Sequence, residues 1–374
     1  MRLTDQGHPI IYYPRGKTPL EWGQLHGESV RAGIQELAQI RRDLMLKKNP
    51  ALMPLLPELA QRQWDYTKQF APSLALELEG LYQGANLTIT DIVILNNYTD
   101  FRDIIPEQGC SSLAIKRHKQ MLAGQTWDMH RTAKNYICTL VIPESPSLDY
   151  SEDYSAASPG QVVLSLVGCL GLMGVNQRGI FIGVNNINTR GAKPGVMWPA
   201  VVRRSLQSSN FEQMREVVTT APVTSGHNYL LADSQMAQHW EITPDLKEMV
   251  SNLEGHQKDG SIVHTNHCLS PKTKNIEDQG SLSSTTFSRW ELLQKHLPTI
   301  ENSMGLLSTL TSHDNHPKGI CSHYESGLQD PSFTCGGGVY DFQSKIFAVW
   351  RGCPVYDANY VHYEFDLSTL ALLK

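Results

Sequence analysis

Residues 112–116 and 121–127 are two short runs of alternating side chains on either side of the polar Arg117-His118-Lys119-Gln120, and this pattern constrains the chain more than any other. A period of two puts every second side chain on one face, and a polar tetrad between two such runs is a hairpin signal. The pairing predicts Cys110 at the mouth of the first strand and Asp128 at the end of the second. Gly109 precedes the cysteine. Glycine lacks a Cβ and tolerates a distorted backbone.

On either side of Cys110 the chain has a different character. Upstream, Leu25, Val30, Ile34, Leu37, Ile40 and Leu44 recur mostly at three- and four-residue steps, which predicts one amphipathic helix ending near Asn49-Pro50. Further helices are predicted over 58–70 and 73–82, and Thr90-Asp91 reads as the cap of a short helix over 92–96. Downstream, strands are predicted over 136–142, 161–167 and 179–184, then helices over 201–206 and 211–219, then strands over 229–232 and 239–243. Residues 144–160 and 256–280 read as polar loops. Hairpin-linked strands flanked by helices, without βαβα alternation, predict an α+β fold whose antiparallel two-sheet core is covered by helices.

With 374 residues, 40% of them hydrophobic and 18% charged, the chain can bury a large core and is too apolar for disorder. A net charge of -5 leaves no cationic footprint for nucleic acid or an anionic membrane, and no stretch approaches the ~20 apolar residues of a membrane span. Residues 1–8 lack the apolar core of a signal peptide, so the expected location is cytoplasmic and the expected partner is a small molecule. Seven widely spaced cysteines without a CxxC pair predict reduced thiols rather than a disulfide framework.

From about residue 21 to 354 the chain resembles the penicillin acyltransferase-like (isopenicillin-N acyltransferase) family of self-processing N-terminal nucleophile hydrolases, related to the choloylglycine hydrolases. Gly109-Cys110 is similar to the junction where these proteins cut themselves. The resemblance implies a four-layer αββα sandwich. It also implies a helical segment, 1–109, and a core, 110–374, that stay together after the cut as an α/β heterodimer. Cys110 would be the nucleophile, and Asp128, eighteen residues on, the carboxylate that holds the new ammonium group. Asn185, near the end of Gly174-Val175-Asn176-Gln177-Arg178-Gly179-Ile180-Phe181-Ile182-Gly183-Val184-Asn185-Asn186, matches an oxyanion-hole asparagine, whereas Asn176 reads as a turn residue. Asn266 in His264-Thr265-Asn266-His267 matches a second asparagine, expected to act with Asn185 on the tetrahedral intermediate. Arg289 in Ser283-Ser284-Thr285-Thr286-Phe287-Ser288-Arg289-Trp290 matches an arginine near the nucleophile, with a residue or two inserted in the Ser-Arg spacing. Gly336-Gly337-Gly338, 346–350 and Gly352-Cys353-Pro354 resemble the closing strands, with no catalytic part for Cys353.

The chemistry behind these expectations is simple. A cysteine attacks as thiolate, and its free pKa of about 8.5 leaves little thiolate at neutral pH without help. An α-amino group with a pKa of about 7.7–8.0, freed on the same residue, supplies the base. An acyl group taken from a linear, non-peptide amide or acyl donor would sit on Cys110 as a thioester and pass to water or to an amine. No cofactor and no metal is implied. Two other readings remain: a catalytically inactive binding module of the same fold, and a metal-dependent hydrolase. The second would use His264, His267 and Cys268, or His313, His316, Cys321 and His323, although neither group has a known zinc spacing.

Overall fold

A computed structural model describes residues 7–102, 110–118, 120–145, 157–282, 285–324 and 332–374. Gly109, Lys119, Ser283, Ser284 and most of the predicted 144–160 loop lie outside the described residues.

The chain opens with β1 (Ile10–Tyr12) and the helices α1 (Pro19–Ser29), α2 (Arg31–Lys48), α3 (Leu56–Phe70), α4 (Pro72–Ala85) and α5 (Ile89–Arg102). Strands β2 (Cys110–Arg117), β3 (Gln120–His130), β4 (Ile137–Ile142), β5 (Gln161–Leu166), β6 (Met173–Asn176) and β7 (Phe181–Asn186) follow. Next come α6 (Trp198–Ser205), α7 (Phe211–Thr220), β8 (His227–Ala232), β9 (Ala237–Ile242), β10 (Lys247–Leu253) and β11 (Gly260–His264). The remainder is α8 (Pro271–Ile276), α9 (Thr286–His296), α10 (Ser303–Leu310), β12 (Ser332–Asp341), β13 (Ile346–Arg351), β14 (Val361–Asp366) and β15 (Ala371–Leu372).

Among the described residues the strands form two sheets, one of eight in the order β1-β4-β5-β6-β7-β8-β9-β10 and one of seven in the order β11-β2-β3-β12-β13-β14-β15. Every pairing is antiparallel except β1 with β4. The predicted hairpin is β2–β3, with Cys110 opposite Trp127 and Asp128 one step beyond. Its alternation sorts side chains between two cores. Leu113 and Ile115 pack with Leu293, Leu306 and Leu310 of α9 and α10, while Cys110 and Ala114 belong to the core between the sheets. The sheets meet where β2 and β3 touch β7, α6 and α7 lie on β7 and β8, and α9 and α10 lie on β11, β3 and β12. These are the layers of the expected αββα sandwich.

One side chain clamps the two sheets next to the candidate site. The buried amide of Gln125, on β3, accepts from Val184 N at 2.6 Å and donates to Val184 O on β7. Gly183 permits this approach, because a Cβ there would stand 2.4 Å from Gln125 Oε1. The residue after Val184 is Asn185.

The single helix expected over residues 25–44 is two. Val30 leaves helical dihedrals at φ -129°, so α1 lies along α4 while α2 turns to pack on α5. Apolar residues stay in step across the break, which is why periodicity alone joins the two segments. The short helix predicted over 92–96 begins earlier, at Ile89, because Thr88 rather than Thr90 receives the Asp91 N–H and gives its own N–H to the Asp91 carboxylate; helical dihedrals break at Asn97, φ -128°, where the prediction ended, and a second helical piece completes α5. The polar stretch 256–280 carries β11 and α8. Among the described residues, no helix is long and apolar enough to cross a membrane, and all seven cysteines are free.

Helices α1 and α4 touch backbone to backbone. A Cβ on Gly23 would stand 1.9 Å from Glu77 O, and one on Gly80 would stand 2.0 Å from Leu20 O. Main-chain atoms within a helix cannot swing aside as a flexible side chain can, so added volume must push the helices apart. Gly23→Ala and Gly80→Ala should each lower stability by about 1–3 kcal/mol or more despite alanine's better helix propensity. Denaturant unfolding measures this, and an unchanged or raised midpoint for both would contradict the close helix contact.

Candidate active site

Cys110 begins a strand in the middle of the molecule and is only 3% exposed. Its main-chain nitrogen donates to Asn266 Oδ1 at 2.6 Å. The same Asn266 oxygen accepts from Arg289 Nη2 at 2.7 Å, and Asn266 Nδ2 donates to the Asn186 carbonyl at 2.8 Å. Arg289 is fully buried near the start of α9. Its Nη1 donates to the Cys110 carbonyl and, at 2.9 Å, to Ser111 Oγ, and its Nε donates to Thr285 Oγ1 at 3.1 Å. Asn266 is held in turn by the Thr286 hydroxyl, which accepts from Asn266 N at 2.9 Å. The inserted spacing around Arg289 does not displace it from Cys110.

Asp128 is buried beside Cys110 and accepts from Thr334 Oγ1, on β12, at 2.7 Å. Burial pushes its carboxyl up to about 6, against the opposing pull of the Arg289 guanidinium and the Thr334 and Thr126 hydroxyls. Burial likewise pushes the Cys110 thiol up to about 12, and the Asp128 carboxylate adds to the rise. Three groups offset part of this: main-chain N–H groups of Asp128 and Asn186 directed at the sulfur, and the Arg289 charge. In the continuous chain the thiol is therefore protonated at neutral pH.

Asn185 reaches the site from the other sheet. Its Oδ1 accepts from Ser112 Oγ at 2.5 Å and from Asn228 Nδ2 at 2.8 Å, while its Nδ2 is buried without a hydrogen-bond partner. An unpaired buried amide donor is costly, and such donors merit a chemical reason. The donors on its oxygen leave the NH2 as the end of Asn185 available to a ligand or intermediate.

Cys110, Asp128, Asn266 and Arg289 thus meet at one locus, and Asn185 bonds Ser112, two residues beyond Cys110 on β2. Asn176 is elsewhere and serves its turn: its Oδ1 accepts from Arg178 N and Ile180 N. His264 is committed to the fold, with Nε2 on Glu241 Oε1 at 2.9 Å and Nδ1 on the Thr265 carbonyl at 2.8 Å. His267 Nδ1 lies 3.1 Å from the hydroxyls of both Thr265 and Thr286. Asn228, Thr286 and Thr334 support the site and have no sequence signal of their own. Each becomes visible only when strands from different parts of the chain are paired.

Folding raises the Asp128 pKa from an ordinary value of about 3.9 to about 6. Between these values the folded chain binds the proton more tightly than the unfolded chain. The contribution is fully present below about pH 4 and is lost as pH rises through about 6, a change on the order of 2–3 kcal/mol. In a Cys110→Ala background, the stability difference between the Asp128 and Asp128→Asn chains should shift by that amount between pH 4 and pH 7.5. Denaturation at several pH values tests it, and a constant difference would mean that Asp128 is ionised in the fold throughout.

The family described as acyl-coenzyme A:6-aminopenicillanic acid acyl-transferase matches residues 115–330, more than half of the chain. The acyl-coenzyme A:6-aminopenicillanic-acid-acyltransferase 40 kDa form of Emericella nidulans is 25% identical over 343 residues, covering 90% of this chain and 91% of that relative. Among solved structures, penicillin V acylase from Agrobacterium tumefaciens aligns at TM-score 0.43 and 15% identity, over 70% of this chain and 89% of its own. A Caenorhabditis elegans N-acylethanolamine-hydrolyzing acid amidase ortholog aligns at TM-score 0.42 and 10% identity, over 62% of this chain and 92% of its own. On the match across 115–330, the chain belongs to the acyl-coenzyme A:6-aminopenicillanic acid acyl-transferase family, the penicillin acyltransferase-like enzymes that its motifs resemble.

Proposed function

We propose that this enzyme cuts itself between Gly109 and Cys110 and then uses Cys110 to cleave or transfer the acyl group of a small linear amide. The observation that carries the proposal is that the main-chain nitrogen of Cys110, the atom a cut would free, is bonded to Asn266 at 2.6 Å in a buried set fixed by Arg289. In the first reaction the Cys110 sulfur attacks the Gly109 carbonyl, the peptide C–N bond breaks, and the nitrogen leaves as an amine. The resulting thioester is released by water, which gives a carboxylate on Gly109 and a free thiol on Cys110.

In the mature enzyme the freed amine takes the thiol proton, and the thiolate attacks the substrate's acyl carbon. The amine returns the proton to the departing substrate nitrogen, leaving an acyl thioester on Cys110. Water then completes a hydrolysis, or an amine completes a transfer. Asn266 orients the amine through Oδ1, since its Nδ2 is committed to Asn186. Asn185, with an unpartnered NH2, donates to the oxyanion of the tetrahedral intermediates. An ammonium group beside Asp128 favours its ionised form, so the two stabilise each other once the amine exists. Residues 1–109 remain attached as the second chain of a heterodimer. Support comes from β1 pairing with β4 and from the buried Glu77–Arg203 ion pair, whose members lie on either side of the junction. The reaction class follows the family, and the substrates named for relatives stay with those relatives.

Mass spectrometry of purified protein should find two pieces, 1–109 and 110–374, and Cys110→Ala should yield one uncut, inactive chain. Cys110→Ser should cut and turn over more slowly, because a hydroxyl is the weaker nucleophile. A wild-type preparation that acts on amides while remaining a single chain would overturn the proposal. Asn185→Ala should still be cut in part, and steady-state kinetics should show kcat lower by about two to three orders of magnitude, with a smaller change in KM. Full activity in that variant would remove Asn185 from the oxyanion site.

A further inference from the structure

We propose that His313, Cys321, His323 and Cys353 form a four-coordinate structural zinc site joining the 311–324 segment to the end of β13. One ligand atom from each of these residues lies within 4.8 Å of all the others. His313 Nε2 is 3.3 Å from His323 Nε2 and 3.1 Å from Cys353 Sγ, and Cys321 Sγ is 3.6 Å from His323 Nε2. Zinc takes sulfur at about 2.3 Å and imidazole nitrogen at about 2.0–2.1 Å, so the edges of a tetrahedron around it are about 3.3 Å for N–N and about 3.5 Å for N–S. The His313–His323 and Cys321–His323 separations match these edges, and the 3.1 Å between His313 and Cys353 is about 0.4 Å short of one, a difference a small shift of either side chain closes. Two thiolates and two neutral imidazoles also balance the charge of Zn2+, and binding releases the two thiol protons to solvent. With four protein ligands no coordination position stays open, so the metal braces the fold and takes no part in the reaction.

The surroundings fit a bound thiolate. The main-chain N–H groups of Val355 and Tyr356 both donate to Cys353 Sγ at 3.4 Å, the pattern expected where a turn cradles a metal-bound sulfur. Cys353 N donates to Asp357 Oδ2 at 2.7 Å, and Cys321 N donates to the Ser312 carbonyl at 3.0 Å, which fixes the two thiol-bearing turns. The Tyr356 ring packs 5.1 Å from the rings of both His313 and His323, and Phe333 lies 5.3 Å from His323. His316, which the sequence grouped with His313, Cys321 and His323, lies with its ring 6.3 Å from that of His313 and does not join the four. Its place is taken by Cys353, thirty residues beyond Cys353's nearest partner in sequence, His323, so no short spacing shows the site.

The site would also steady Asp128. Ser322, between two ligands, donates its N–H to Thr334 Oγ1 at 2.8 Å, and Thr334 N donates to Ser322 O at 3.0 Å. With that acceptor position filled, the Thr334 hydroxyl directs its proton to Asp128 Oδ1.

The test is the metal content of tag-free, full-length protein purified with a reductant and zinc present, then dialysed. The expected result is about one zinc per chain by mass spectrometry of the metal. Exchange for Co2+ should give the visible absorption of tetrahedral cobalt with a thiolate charge-transfer band, a readout that needs no variant. His313→Ala and Cys353→Ser should each retain less than about a tenth of the metal, while His316→Ala retains it. The same content is expected in Cys110→Ala, so metal binding and catalysis are read separately. Less than about a tenth of an equivalent of zinc in wild type, or a native mass two hydrogens lighter from a Cys321–Cys353 disulfide, overturns the proposal. So does metal that survives in both ligand variants.

Discussion

A buried guanidinium cannot shed its charge, so a chain that folds around Arg289 must bring acceptors to it. The acceptors are the Cys110 carbonyl, Ser111 Oγ, Asn266 Oδ1 and Thr285 Oγ1. They come from the first residues of β2, the segment after β11, and the residue before α9. Their arrangement here satisfies the cation. Strand order supplies the rest, because β11 pairs with β2 and carries Asn266 to the Cys110 end of that strand, where His264 stands opposite Ser112. The geometry at Cys110 is thus a consequence of where a single positive charge is buried.

Legibility followed the range of the interactions. The β2–β3 hairpin could be read because alternation and a polar turn are local, and they carried Cys110 and Asp128 with them. The break at Val30 could not, since it depends on α1 seating against α4 through Gly23 and Gly80. Strand β11 was hidden because Gly260-Ser261-Ile262-Val263-His264 has too few apolar residues to announce itself, and pairing with β2 makes it a strand. At the site, residue types in family order pointed to five side chains, of which Cys110, Asp128, Asn266 and Arg289 lie together. The pairing of Asn185 with Ser112 and Asn228 had no signal, because it requires two sheets to be stacked face to face.

The same burial that builds the site also keeps it quiet. Removing Cys110 and Asp128 from water favours the neutral form of each, and a neighbouring carboxylate makes the thiolate still less favourable. A positive charge at the Cys110 nitrogen would reverse both tendencies at once. The peptide bond before Cys110 is what withholds that charge, so a continuous chain and a severed one have different proton equilibria at the same side chains.

A chain cut before Cys110 keeps this site only if the helices upstream of it stay in place, and the packing bears on this. Glu77 on α4 and Arg203 on α6 form a bidentate pair at 2.9 and 3.0 Å, both about 98% buried or more, and Tyr13 OH donates to the same carboxylate at 2.8 Å. Separating such a pair leaves two unpaired buried charges, and breaking one by removing a partner typically costs about 3–5 kcal/mol. His26 Nε2 accepts from Gly168 N at 3.1 Å, and Asn96 bonds both Gly168 O and Leu170 N, so further buried polar groups are satisfied only across this junction. None of these contacts passes through the chain at 109–110. The helices are therefore held to the sheets by burial and charge pairing, which is what the proposed cut before Cys110 requires of them.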